Sequence, residues 1–218
     1  MNKKNIIKFS LFGGLFVLLT IMLLFIDRGL ALGTNKEIGM SFINQNASYN
    51  YNESLDKISD IFLILAILLV AVIASFGFIQ IVKRKSIFKV DSSILSFGVT
   101  LIILVIFWLA FEKLFVVNYR PILVDGDVES SYPSTHILLV TFILLSSSFY
   151  FSKLMNDKNL RIATYISSIF IIGLTCVLRF ASGMHWITDC IGGLLLGLSL
   201  YYLYIIINNT IYKSTDKR

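Results

Sequence analysis

The stretch "ISDIFLILAILLVAVIASFGFIQIV", residues 58–82, decides what kind of molecule this is. A bilayer core about 30 Å thick needs roughly 20 predominantly apolar residues in a helix, and this run is 25 residues long. Five further runs qualify, so the predicted spans are residues 6–26, 58–82, 94–111, 136–152, 161–178 and 188–208. The third is expected to continue as helix towards Tyr119. Composition agrees. The 218-residue chain is 56% hydrophobic and only 15% charged, with a mean hydropathy of +0.81. A soluble domain is usually about 45–50% apolar, and so few charges do not cover a water-facing surface. The expected fold class is all-α: a six-transmembrane-helix bundle forming one membrane-embedded domain over residues 1–218.

Charge positions refine this. A net charge of +6 suggests nucleic acid only if the cations form a continuous face, and here they sit in short clusters beside the spans. One side carries 13 Lys and Arg residues (Lys3, Lys4, Lys8, Lys83, Arg84, Lys85, Lys89, Lys153, Lys158, Arg161, Lys213, Lys217 and Arg218) and the other six. Cationic loops stay in the cytoplasm, so both termini are expected there. The first span follows Lys3, Lys4 and Lys8, and Ala31-Leu32-Gly33 resembles a cleavage site. Its apolar core of about 21 residues exceeds a signal peptide's 7–15, so a retained helix is expected. Cys176 and Cys190 lie in or beside apolar runs and read as free thiols. The outer segment 27–57 reads as a connector. Its Asn46-Ala47-Ser48 and Asn52-Glu53-Ser54 patterns carry no weight in so Asn-rich a chain.

Three stretches at the outer ends of the spans hold the scarce polar chemistry. In "EKLFVVNYRP", Lys113 and Arg120 are seven apart, two helical turns, so a helix places both on one face about 10 Å apart, and Pro121 ends it. In "SYPSTH", Pro133 suits a first helical turn and Ser131 is a candidate cap. Ser134 and Thr135 add hydroxyls beside the unpaired N–H groups and positive dipole end of the helix. His136 adds a group that titrates near neutrality. In "LRFASGMHWITD", His185 and Asp189 are spaced i, i+4, so a helix from about Met184 sets the carboxylate beside the imidazole. A carboxylate on one ring nitrogen leaves the other a better nucleophile. Arg179 lies six residues earlier.

Ionisable groups near hydrocarbon cost about 2.5–3.5 kcal/mol each at a helix centre and default to a functional reading. Three cations, two imidazoles and a carboxylate converge here on one leaflet, a set suited to gripping phosphate. No Asp, Glu or His cluster has metal-ligand spacing, and Asp125, Asp127 and Glu129 read as a solvated loop.

Lys113-x6-Arg120-Pro121, Pro133-Ser134-Thr135-His136 and Arg179-x5-His185-x3-Asp189 together resemble the three-part signature of the type 2 phosphatidic acid phosphatase superfamily, which includes bacterial membrane lipid phosphatases. The resemblance spans residues 113–189. It implies a metal-independent, cofactor-free phosphatase of membrane lipids such as undecaprenyl diphosphate or phosphatidylglycerophosphate. It implies that His185 attacks phosphorus to give a phosphohistidine, with Asp189 orienting the ring. His136 then protonates the leaving oxygen and later activates water, while Lys113, Arg120, Ser134, Thr135 and Arg179 hold the phosphoryl group. The implied partners are the lipid phosphate and the bilayer, without nucleic acid, and the active site faces the extracytoplasmic side of the cell membrane. Two positions depart from the family pattern: Thr135 stands where glycine is usual, and Leu178 where serine precedes the arginine. A lipid-to-lipid phosphotransferase using the same histidine is the alternative, and a transporter, whose polar site belongs near the midplane, a more distant one.

Overall fold

The structure is a computed structural model that describes residues 3–30, 35–46, 50–123 and 127–215. Ala31-Leu32-Gly33, Ala47, Ser48, Asp125, Lys217 and Arg218 lie outside the described residues. The helices are α1 (Lys3–Phe25), α2 (Ser41–Asn44), α3 (Glu53–Arg84), α4 (Ser92–Leu109), α5 (Thr135–Ser152), α6 (Lys158–Ala181) and α7 (Ile187–Thr215). A short 3-10 turn, Ile87–Lys89, joins α3 to α4. All but α2 are long and apolar enough to cross a membrane. The chain is an all-α, multi-pass membrane protein.

Local chemistry sets the helix ends. Asn52 caps α3 by accepting from the Leu55 N–H at 3.1 Å. Glu53 and Asp56 sit in its first turn and Lys83 and Arg84 in its last, each matching the dipole. Lys85 stops the helix in the left-handed region, at φ 51°. Asp157 caps α6 through the Asn159 and Leu160 N–H groups.

Packing puts α5 at the centre. Its core window is 67% buried inside the protein, against 11% for α1 and 17% for α3 and α6. The remaining helices therefore present Ile, Leu and Phe side chains such as Phe78, Ile102 and Phe170 outward, as lipid-facing surfaces do. Between helices in lipid, close approach of small residues replaces the hydrophobic drive. Gly197 shows this: a Cβ there would lie 2.8 Å from the Thr141 Cβ on α5. At Gly193, one turn nearer the start of α7, it would lie 2.6 Å from the Ser134 carbonyl. These two glycines draw the first turns of α5 and α7 together. Buried Ser148 and Ser168 tie α5 to α6 through hydroxyls 2.8 Å apart.

The segment between α1 and α3 is more than a connector. Strands β1 (Gly29–Leu30) and β2 (Glu37–Ile38) pair antiparallel, and α2 follows. Ile38 packs on Trp186, the Gly39 N–H reaches the Asn118 side chain at 2.9 Å, and Thr188 donates to Asn44 at 3.1 Å. This segment braces the loops at one end of the bundle.

Candidate active site

At that end, α3, α4 with the run that follows it, the start of α5 and the loop before α7 line a cavity of about 760 Å³. Its polar floor includes His185, His136, Thr135 and Arg120, with Lys113 at the rim. Its apolar wall continues down between α3, α4 and α5 through Ile67, Val105 and Ile143. The three sequence stretches thus meet in one place, although several details differ from expectation.

The helix expected from Lys113 to Arg120 is not formed. After α4 the chain makes one wide π-helical turn, Ala110–Leu114, and leaves helical geometry at Phe115, at φ −121° and ψ 66°. Asn118 is fully buried and locks this non-helical run: its side-chain amide donates to Asp189 at 3.3 Å and its backbone carbonyl accepts from the Ser131 N–H at 2.9 Å. Tyr119 bridges Ser130 in antiparallel fashion, and the Arg120 N–H bonds the Glu129 carbonyl at 3.0 Å. These bonds outweigh two more helical turns. Lys113 consequently sits on the rim, its side chain 70% exposed and paired with Glu112 at 3.0 Å, while Arg120 points inward. Glu129 is not simply solvated, because its carboxylate pairs with Arg120 at 3.1 Å.

Pro133 precedes α5 rather than opening it. Ser134, not Ser131, holds the N-cap position, and its hydroxyl makes no capping bond. The Ser134 N–H instead bonds the Asp189 carbonyl at 3.0 Å, fixing the start of α5 against that of α7. Thr135 is the first helical residue and His136 the second. The His136 Nε2 lies 2.8 Å from Asp60 Oδ1 on α3.

Helix α7 begins at Ile187, not at Met184, so His185 lies in the loop before it. Gly183 makes that loop possible: its φ is 76°, and a Cβ there would lie 2.9 Å from the Asn50 carbonyl oxygen. Asp189 caps α7 by accepting from the Trp186 N–H at 3.0 Å. Its Oδ2 is 3.7 Å from His185 Nδ1, an ionic distance rather than a hydrogen bond. The hydrogen bond at Nδ1 goes to the Ser131 carbonyl at 3.1 Å. A carbonyl only accepts, so Nδ1 carries the proton and Nε2 keeps its lone pair. His185 is buried, and burial together with the Arg179 and Arg120 charges pushes its pKa well below 6.5.

Arg179 at the end of α6 is almost completely buried. It is held by Asp56 and by the Ser59 hydroxyl at 3.2 Å, both on α3. Among the described residues, Arg120 Nε, Arg179 Nε and Ser134 Oγ are buried without a hydrogen-bond partner. Each comes from a different one of the three stretches. Five buried hydroxyls, those of Ser131, Thr141, Ser146, Ser147 and Tyr204, are likewise unpartnered, but the two guanidinium nitrogens are charged donors. Arg120 and Ser131 line the cavity, and Ser134 lies between Pro133 and Thr135, which line it. Buried donors normally have partners, so this end marks a place for an acceptor-rich group. No group of three or more metal-ligating side chains occurs among the described residues. Both cysteines are free thiols. Sequence reading missed Asn118, Asp56 and Asp60, because an Asn in a loop and carboxylates in a helix's first turns have ordinary explanations.

A family model described as the PAP2 superfamily matches residues 62–213. No curated protein sequence matches. A solved structure, that of the first transmembrane PAP2 type phosphatidylglycerolphosphate phosphatase from Bacillus subtilis, superimposes with a TM-score of 0.61 at 19% identity. The superposition covers 93% of this chain and 96% of that one.

Proposed function

The chain belongs to the PAP2 superfamily and has its membrane phosphatase fold, and on that premise we propose that it hydrolyses the phosphate of a membrane lipid through a phosphohistidine on His185. The observation that carries the proposal is the trio of buried, unpartnered donors, Arg120 Nε, Arg179 Nε and Ser134 Oγ. Tetrahedral phosphate oxygens satisfy donors arriving from several directions, and charged donors strengthen as charge builds in the transition state.

His185 Nε2 attacks phosphorus. The Ser131 carbonyl fixes the tautomer, and Asp189, 3.7 Å from Nδ1, stabilises the positive charge the ring acquires. The depressed pKa keeps the imidazole neutral, as a nucleophile requires. His136 gives a proton to the leaving oxygen and then takes one from the water that hydrolyses the intermediate. Arg120 and Arg179 with Ser134 hold the phosphoryl oxygens. Thr135 adds a hydroxyl, and Lys113 adds long-range attraction from the rim. Phosphoryl transfer is largely positioning and electrostatics, so these cations supply charge without a metal or cofactor.

The apolar wall between α3, α4 and α5 suits acyl or prenyl chains, with the head group at the polar floor. Phosphatidylglycerophosphate and undecaprenyl diphosphate are the substrates of choice, and the solved relative's activity favours the first. The 13-to-six distribution of Lys and Arg supports cytoplasmic termini and a site on the extracytoplasmic side. The whole of residues 1–218 acts as one membrane-embedded domain. The test is phosphate release from a panel of lipid phosphates by purified protein in detergent, native against His185→Ala. Release by the native chain alone, insensitive to EDTA and inhibited by vanadate, is expected. Equal release by both, or a strict Mg²⁺ requirement, overturns the reading.

A further inference from the structure

The first two turns of α3 lie outside the three signature stretches and before residue 62, where the family match begins. Yet they present Asp56, Ser59 and Asp60 to the site. Spaced i, i+3 and i+4, these residues share one helix face. Asp56 and Ser59 grip Arg179, and Asp60 Oδ1 meets His136 Nε2 at 2.8 Å. The start of α3 is itself fixed, since the Asn52 N–H bonds the Ser182 carbonyl at 3.0 Å in the loop that carries His185. Asp56 therefore anchors the face, and Asp60 is delivered to the imidazole by a rigid element.

Resting on the hydrolytic reading above, we propose that α3 is a fourth contributor to the active site and that Asp60 is the positioning residue for His136. A carboxylate only accepts, so Nε2–H is committed to Asp60 and the ring is held in one orientation. The proton for the leaving group then departs from Nδ1. In the first step the bond from phosphorus to the leaving oxygen breaks, the bond from phosphorus to His185 Nε2 forms, and the Nδ1 proton passes to the alkoxide. In the second, water attacks phosphorus, its proton returns to His136 Nδ1, the bond to His185 breaks and phosphate departs. Asp60 keeps Nε2–H throughout and stabilises the imidazolium that precedes the first transfer.

A residue acting through a general acid matters most for poor leaving groups, which a merely structural residue does not distinguish. The experiment measures kcat/KM, which reports the first step, for Asp60→Asn, Asp60→Glu and His136→Ala. It uses an alkyl lipid phosphate and a nitrophenyl phosphate carrying a fatty alkyl chain. Asp60→Asn is expected to lose about tenfold to hundredfold on the alkyl substrate and clearly less on the aryl one, with Asp60→Glu recovering part of the loss. His136→Ala should show the same preference, more strongly. If Asp60→Asn loses equally on both substrates, or on neither, while His136→Ala discriminates, the role of Asp60 is overturned and the hydrolytic reading stands. If His136→Ala does not discriminate, its assignment as the acid fails and takes this inference with it.

Discussion

The two histidines stand on one cavity but on walls of different build. The His185 wall is interior: Ser131, Asn118, Trp186 and Asp189 are all buried and linked by hydrogen bonds. The His136 wall is open: its ring is 20% exposed and rests on an Asp60 side chain that is 50% exposed. The difference fits the chemistry each is proposed to do. A nucleophile that becomes covalently modified needs one fixed tautomer and an approach line that does not wander. A group that trades protons with a leaving oxygen and then with water needs access to both. Rigidity is placed on one side and access on the other.

The comparison breaks most severely at His185. His185→Ala should lower turnover by about 10⁴-fold or more, measured as phosphate release, while the protein still elutes as a monodisperse species in detergent. Next comes Arg179→Ala, which removes a buried donor and also takes from Asp56 its guanidinium partner. A fall of about 10²–10³-fold in kcat/KM and a loss of about 3–5 kcal/mol in stability are expected, the second read from unfolding in detergent. Unchanged stability would mean that the Asp56 pair is not buried as described. Asn118→Ala sharpens the contrast, because the Asn118 side chain bonds Asp189 behind His185 and the Gly39 N–H, not His136 or Asp60. It should lower kcat about tenfold with little change in KM, and an effect on KM alone would argue against a fixed nucleophile.

The pH dependence has a definite sign. Because the pKa of folded His185 lies below 6.5, the native protein stays unprotonated there while the unfolded chain takes up a proton as pH falls through that value. Stability contributed by this group is therefore complete above pH 6.5 and declines below it, and the acid limb of activity assigned to His185 lies below 6.5 as well. A thermal-unfolding series from pH 5 to 8, taken as a range about that value, checks the first point. The smallest effect is expected at Lys113. Exposed and paired with Glu112, it is screened by solvent, so Lys113→Ala should cost only a few-fold, mainly in KM and more at low salt. A loss rivalling that of Arg179→Ala would show that Lys113 swings inward when substrate binds.

Much of the fold was legible in the sequence because lipid imposes a long, simple signal. A run such as 58–82 must satisfy its backbone internally, so helix follows from hydropathy and length. The ends were less legible. Nothing local to Phe115 announces that the chain leaves the helix there, since the bonds that hold the run after it come from Gly39, Ser131, Glu129 and Asp189, distant in sequence. The scarce residues were legible too, because ionisable groups are costly at a membrane boundary and stand out against an apolar chain. Asn118, Asp56 and Asp60 did not stand out, having the bland reading of a loop amide and first-turn acids.

By itself, the amino-acid sequence determined that this is a helical membrane protein, how many spans it has, and which scarce side chains gather at one end. These follow from transfer energies that each segment feels alone. The tertiary structure decided which partner each of those side chains has: Ser131 rather than Asp189 at the His185 Nδ1 proton, Glu129 on Arg120, and α3 behind both Arg179 and His136. Hydrogen bonds reach about 3 Å, so they depend on how whole helices are set against one another, and no single segment carries that information.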